Sequence, residues 1–248
     1  MNKMKKIGVL TLLGMILGGC SCSKVNEDTY ESAASVFSST DGIAFSRIET
    51  IQTANEDIKT RKKVDAKYVF DSNKNVISMQ YERTTSKLSE ASNTNIGSDV
   101  VTKYYYNGER KTLYTYSDSV NKYKQKDVNY NDVFNINISE GDELLMIVGS
   151  FAPIFKLNEV EGFTIEKEDD KAVVNFHAVC PSYENCTSGS EVIEYEYVIG
   201  SDGNIESLSY VITNGSTTNT INYVFHAYGS NNVNIEFPSD LESYIEKK

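Results

Sequence analysis

The chain of 248 residues has no tryptophan, only three prolines, two histidines and four cysteines, and 24 Lys+Arg against 35 Asp+Glu. So little proline excludes a collagen-like or proline-rich scaffold. The basic deficit, a formal net charge of −11, argues against nucleic acid, because a phosphate-binding face needs clustered Lys and Arg. Without tryptophan, a common stacking platform for glycans is missing. No apolar run is long enough to cross a bilayer: the longest, Ile7–Leu17, has eleven residues, against the roughly 20 that a helix needs for a hydrocarbon core of ~30 Å. No G-x-S-x-G elbow, H-E-x-x-H pair or phosphate-binding P-loop occurs. No catalytic residue, metal ligand set or cofactor is assigned, and the chain is read as not an enzyme. Hydrophobic residues at 40% and charged residues at 24% are a globular balance, which excludes wholesale disorder.

The N-terminus is an address. Lys3, Lys5 and Lys6 form a positive n-region, Ile7–Leu17 an apolar h-region, and small residues follow. This is the layout of a secretory signal, removed before folding. Leu17-Gly18-Gly19-Cys20 resembles the lipobox of bacterial lipoproteins. That resemblance implies a signal over 1–19, lipidation at Cys20 and a short polar tether over 20–28. Losing the three lysines takes the formal charge from −11 to −14, so an anionic membrane surface repels the body rather than drawing it down.

Export makes oxidation possible. Cys180 and Cys186, separated by five residues, are read as a disulfide closing a turn. Metal is the competing reading. His177 stands three before Cys180, but the spacing is not that of a zinc ribbon and no fourth ligand is evident. Cys22 is left over in the tether.

Thr29–Ser39 places Tyr30, Ala33, Ala34 and Phe37 at helical spacing. Period two follows. Ile43/Phe45, Ala66–Phe70, Ile77/Met79/Tyr81, Val100–Asn107, Leu113–Ser117, Lys122–Lys126, Phe163/Ile165, Ala172–Ala178, Ile193–Ile199, Leu208–Ile212, Ile221–Phe225 and Val233–Phe237 read as strands, with 84–99 a polar loop. Asn107-Gly108, Asp202-Gly203 and Asn214-Gly215 are hairpin signals. About ten strands joined by tight turns predict a strongly curved antiparallel sheet with few helices.

One stretch differs. Ser139 is a plausible N-cap, and Leu144-Leu145-Met146-Ile147-Val148 is apolar on every side, continuing through Phe151, Ile154 and Phe155. Pro153 is expected to kink or end the first helix and to start a second. A helix apolar all round must be buried or must cover something apolar.

The strand series Val100–Lys126, the insert Glu140–Phe155 and the meander from Glu191 to Val233-Asn234-Ile235-Glu236-Phe237-Pro238 together resemble the LolA/LolB/LppX-type superfamily of lipoprotein and lipid carriers. The resemblance implies one mainly β (α+β) domain over 29–248. Its fold would be an open half-barrel formed by a curved antiparallel sheet, under a helical lid inserted at about 140–157. It implies a membrane-anchored envelope lipoprotein that binds or relays a lipid or acyl chain. The anchor would stand on the outer face of the cytoplasmic membrane, or in the outer membrane of a two-membrane cell. Candidate ligand-binding residues are Met79, Leu144, Leu145, Met146, Ile147, Val148, Phe151 and Phe155, where the methionines adapt to a variable chain. The alternative is an interaction lipoprotein with an envelope protein or glycan partner and no cavity. A hydrolase would need a Ser/His/carboxylate cluster in a cleft.

The basic stripes Lys122/Lys124/Lys126 and Arg61-Lys62-Lys63 are read as solvated faces or edge guards before headgroup contacts. His177 and His226 fall on the outward parity of their strands. Glu166, Glu168, Asp169 and Asp170 form an acidic turn without EF-hand spacing.

Overall fold

A computed structural model describes residues 25–118, 120–130, 153–180 and 191–247. Helix α1 (Glu27–Ser39) starts at Asn26, whose N–H donates to Thr29 Oγ1 at 3.3 Å, and carries Glu27 and Asp28 in its first turn, where negative charge favours the helix dipole. It ends at Thr40, whose backbone turns extended. Tyr30, Ala33 and Phe37 form its buried stripe, a four- and three-residue spacing that keeps one face on the sheet.

Twelve strands follow: β1 (Gly42–Thr53), β2 (Ile58–Phe70), β3 (Val76–Ser89), β4 (Val100–Asn107), β5 (Thr112–Ser117), β6 (Val120–Gln125), β7 (Val160–Glu168), β8 (Lys171–Val179), β9 (Val192–Ile199), β10 (Ile205–Asn214), β11 (Thr217–Tyr228) and β12 (Ile245–Glu246). They make one open curved sheet in the order β12-β6-β5-β4-β3-β2-β1-β11-β10-β9-β8-β7. Every pairing is antiparallel except the parallel β12–β6 contact. Two meanders, β1–β6 and β7–β11, therefore join where β1 pairs with β11. The mainly β, open half-barrel expectation is met.

Several boundaries differ from the sequence reading. The polar stretch expected to be a loop over 84–99 is strand up to Ser89, because β2 also continues back to Ile58 and pairs with it; Leu88 then bridges to Asn95. Asn107-Gly108 does begin a reversal, but a longer one, ending at Lys111 with φ 46. Gly108 is needed for approach: a Cβ there would sit 2.7 Å from the Ile77 carbonyl oxygen. Pro153–Lys156 is not helical and is followed by a single 3-10 turn at Leu157–Glu159, so the second helix expected after Pro153 is absent. The first, over 139–152, falls outside the described residues.

The concave face, on which α1 lies, is an aromatic floor. Tyr68, Tyr195, Tyr197, Phe176, Tyr223 and Tyr81 are almost fully buried there. Each such ring contributes on the order of 1.5–3 kcal/mol of burial free energy. Tyr30 stands edge-on to Phe176 and Tyr197, both at 5.5 Å, and Phe37 to Phe225 at 5.3 Å.

Val233–Phe237, expected as a closing strand, is not one. From Gly229 the chain leaves β11 as a strap crossing the convex face. Lys67 Nζ donates to the Asn234 carbonyl (2.8 Å) and the Glu236 N–H to Gln80 Oε1 (3.1 Å). Phe237, Leu241 and Tyr244 then pack on Tyr105 and Tyr114, a small second core. At the far edge β12 lines up beside β6. Over 234–236 the backbone is engaged by side chains of successive strands and so does not pair in register with either of them.

Candidate functional site

The connection from β6 to β7 is bolted to the concave face at both ends by buried tyrosines. Tyr106 donates its hydroxyl to the Val128 carbonyl (3.2 Å), Tyr30 to that of Phe155 (3.1 Å) and Tyr197 to that of Pro153. Burial pushes the Tyr30 phenol up to about 12. Phe155 packs against Tyr195 at 4.8 Å and Phe176 at 5.7 Å, and Met79 is 0% exposed on β3. These two expected ligand residues sit in the packed core. Leu144, Leu145, Met146, Ile147, Val148 and Phe151 lie outside the described residues.

An opening lies on the same face, one wing away. A row runs across the sheet from Tyr81 through Tyr104, Thr115 and Tyr123 to Ile245. Beside it a trough of 320 Å³ is lined by Thr102, Tyr104, Thr115, Ser117, Tyr123, Gln125 and Lys247. Tyr104 belongs to both regions: it lines the trough and meets the buried Tyr81 ring at 5.8 Å, edge-on. The trough thus opens directly beside the aromatic core.

Further toward the strand ends the floor turns ionic. Arg47, 4% exposed, donates to Glu49 Oε2 at 3.1 Å and lies over the Tyr223 ring at 5.7 Å; Lys62 reaches the same carboxylate at 3.4 Å. From the sequence, Lys62 is read only as part of a solvated basic cluster, and Arg47 and Glu49 are not singled out. Their signal was parity: Arg47 and Glu49 continue the inward positions of Ile43 and Phe45. The trough residues were visible the same way, except Lys247, which only the strap's path brings there.

The convex face carries the residue types of a hydrolase in the wrong order. Ser46 Oγ donates to Asp65 Oδ1 at 2.6 Å, and His226 Nε2 lies 2.8 Å from Ser46 Oγ. In a working relay the imidazole stands between hydroxyl and carboxylate. Here the hydroxyl stands between them, its proton committed to Asp65, which Lys63 also holds at 2.7 Å. His177 and His226 are both exposed. Cys180 is buried at the end of β8; Cys20, Cys22 and Cys186 lie outside the described residues.

The basic stripe on β6 is neutralised by the strap. Lys122 pairs with Asp240, and Lys126 with Glu246 at 2.7 Å. Lys122 holds the Asp240 carboxyl below its usual value, and Lys126 does the same for Glu246. A depressed folded-state value stabilises the docked strap above the unfolded carboxylate range, and that contribution disappears as pH falls through the depressed values. Hydrogen exchange of the Ile245–Lys247 amides, corrected for the intrinsic pH dependence of exchange, is therefore expected to show less protection at pH 3 than at pH 7. Equal protection would mean that the ion pairs do not hold the strap.

No protein-family model matches the chain, and none of the curated proteins does. Solved structures resemble it in fold. LprF from Mycobacterium bovis is similar. It is 11% identical, with a TM-score of 0.43, over 86% of this chain and 95% of its own. A β-barrel-like protein of a domain of unknown function from Brucella abortus has 8% identity and a TM-score of 0.28, over 76% and 99%. A LolA superfamily protein from Nitrosomonas europaea has 9% identity and a TM-score of 0.26, over 86% and 95%.

Proposed function

We propose that the protein is a non-enzymatic envelope lipoprotein, anchored through an acylated Cys20 on the outer face of the cytoplasmic membrane, or in the outer membrane of a two-membrane cell. It holds an amphipathic ligand, a lipid or acyl chain, on the concave face of its sheet. The observation that carries the reading is the trough beside Tyr104. Its volume, 320 Å³, is at the lower end of small-molecule sites, and one of its walls, Tyr104, packs against the buried ring of Tyr81. Polar atoms of a ligand would meet Thr102, Thr115 and Ser117, and its apolar part would run along Tyr104 toward Tyr81. Leu144, Leu145, Met146, Ile147, Val148 and Phe151 are proposed to cover that tail. A Cys180–Cys186 disulfide is proposed to close the β8–β9 turn, where Cys180 stands buried just after β8.

The test uses Cys20→Ser protein purified without detergent. Mass spectrometry of an organic extract is expected to find a bound amphiphile, and a fluorescent fatty acid is expected to bind saturably. Thr115→Trp, which puts an indole into the trough, is expected to weaken that binding about tenfold, ~1.4 kcal/mol, with thermal stability nearly unchanged. No extractable lipid and no probe binding would overturn the reading. That outcome would favour the interaction alternative, for which the convex face offers a polar groove of 710 Å³ lined by Lys171, Asn204, Glu206, Ser207, His226 and Asn232 among others.

A further inference from the structure

We infer that the trough selects an anionic head and that Lys247, delivered by the C-terminal strap, is the residue that does so; the inference rests on the ligand reading above and adds the chemistry of the ligand's polar end. The residues lining the trough carry hydroxyls (Thr102, Thr115, Ser117, Tyr104 and Tyr123), an amide (Gln125) and one ammonium (Lys247), and among the described residues the lining includes no carboxylate. Hydroxyl and amide donors alone suit a sugar as well as a phosphate. The ammonium separates the two, because hydrogen bonds to a charged oxygen are about twice as strong as neutral ones. In a chain of net charge −11, the general field repels anions, so a carboxylate-free lining with a lysine at its rim is what an anionic head requires locally.

Lys247 reaches the trough by construction. Side chains alternate along a strand. Glu246 points to the convex side, where it pairs with Lys126, and Lys247 comes round the β6 edge to the concave side. Its backbone N–H donates to the Lys124 carbonyl at 2.9 Å, and β12 fixes the register through Ile245 opposite Tyr123 and Glu246 opposite Lys124. The strap's anchors on the convex face, Lys122–Asp240 and Tyr244 against Tyr114 at 5.6 Å, hold that register. The strap is thus one wall of the site, and what loosens it removes the cation. The head would be a phosphate or carboxylate.

The probes are dodecyl phosphate and dodecyl maltoside, both below their micellar concentrations, and inorganic phosphate, titrated into Cys20→Ser protein by calorimetry. Dodecyl phosphate is expected to bind at least fivefold more tightly than the maltoside. Lys247→Glu is expected to weaken the phosphate amphiphile about tenfold and leave the maltoside within twofold. Glu246→Lys, which sets two like charges against each other at Lys126, is expected to reproduce the loss by freeing β12, read independently as faster amide exchange at Lys247. Equal affinities for the two amphiphiles, or a Lys247→Glu protein that still prefers the phosphate, would overturn the inference and leave the ligand reading standing. Inorganic phosphate binding as tightly as dodecyl phosphate would overturn it in favour of a free-anion site. Failure of both amphiphiles to bind would overturn it together with that reading.

Discussion

Replacing Cys20 by serine is expected to move the protein from the membrane fraction to the soluble one. The lipobox reading makes the Cys20 thiol the point of acylation, and a hydroxyl does not take its place because the thiolate is the reactive nucleophile. Acyl chains contribute about 0.8 kcal/mol per buried CH₂, and two chains hold a protein where one holds it only marginally. The apolar run Ile7–Leu17 is eleven residues, short of a bilayer span, and no helix among the described residues is long and apolar enough to cross a membrane. Fractionation of cells fed labelled fatty acid checks it. Label still entering the Cys20→Ser protein would remove the assignment.

Phe176→Ala is expected to destabilise the fold by about 3–5 kcal/mol. Phe176 is 0% exposed at the middle of β8, with the rings of Tyr30 at 5.5 Å, Tyr197 at 5.3 Å, Phe155 at 5.7 Å and Tyr195 at 5.9 Å around it. Those neighbours come from α1, β9 and the chain entering β7, so they are held apart by three different elements and cannot collapse into the space left behind. Chemical denaturation measures the loss, with Val211→Ala on the convex face, where Val211 is 48% exposed, expected to shift stability by no more than about 0.5 kcal/mol. A Phe176→Ala loss below about 1 kcal/mol would mean that this half of the floor is already loosely filled. That would place room for a ligand beneath α1, where the structure shows packed rings.

The fold was legible because the period-two pattern is strong in β8 to β11. Val174, Phe176, Tyr195, Tyr197, Tyr210, Ile212, Ile221 and Tyr223 point inward as their spacing says, and α1 carries its stripe where the helical spacing puts it. Parity also placed Tyr104 and Tyr105 on opposite faces. What period two cannot convey is which polar residues a sheet leaves inside. Arg47 and Glu49 are enclosed because Tyr223 and each other provide an environment for them, and only the pairing of β1 with β11 creates that neighbourhood. Alternation in the strap misleads for a related reason. Val233, Ile235 and Phe237 alternate, but alternation says only that a chain is extended, not that a partner strand lies beside it. Lys247 gains its place only because the strap from Gly229 is laid across the sheet as far as β6.

The pairing of β1 with β11 has a consequence for how the molecule comes into being. Ile43 and Tyr228, near opposite ends of the chain, are partners, so the middle of the sheet is the last part that emergence of the polypeptide can complete. Until β11 arrives, β1 has a hydrogen-bonding edge with nothing beside it, and the aromatic rings of both meanders lack a common interior. Such non-local closure is intrinsically slow, on the order of milliseconds to seconds, and it leaves an interval in which two sticky half-sheets coexist. A protein built this way depends during its biogenesis on being kept apart from its own copies until the seam has zipped.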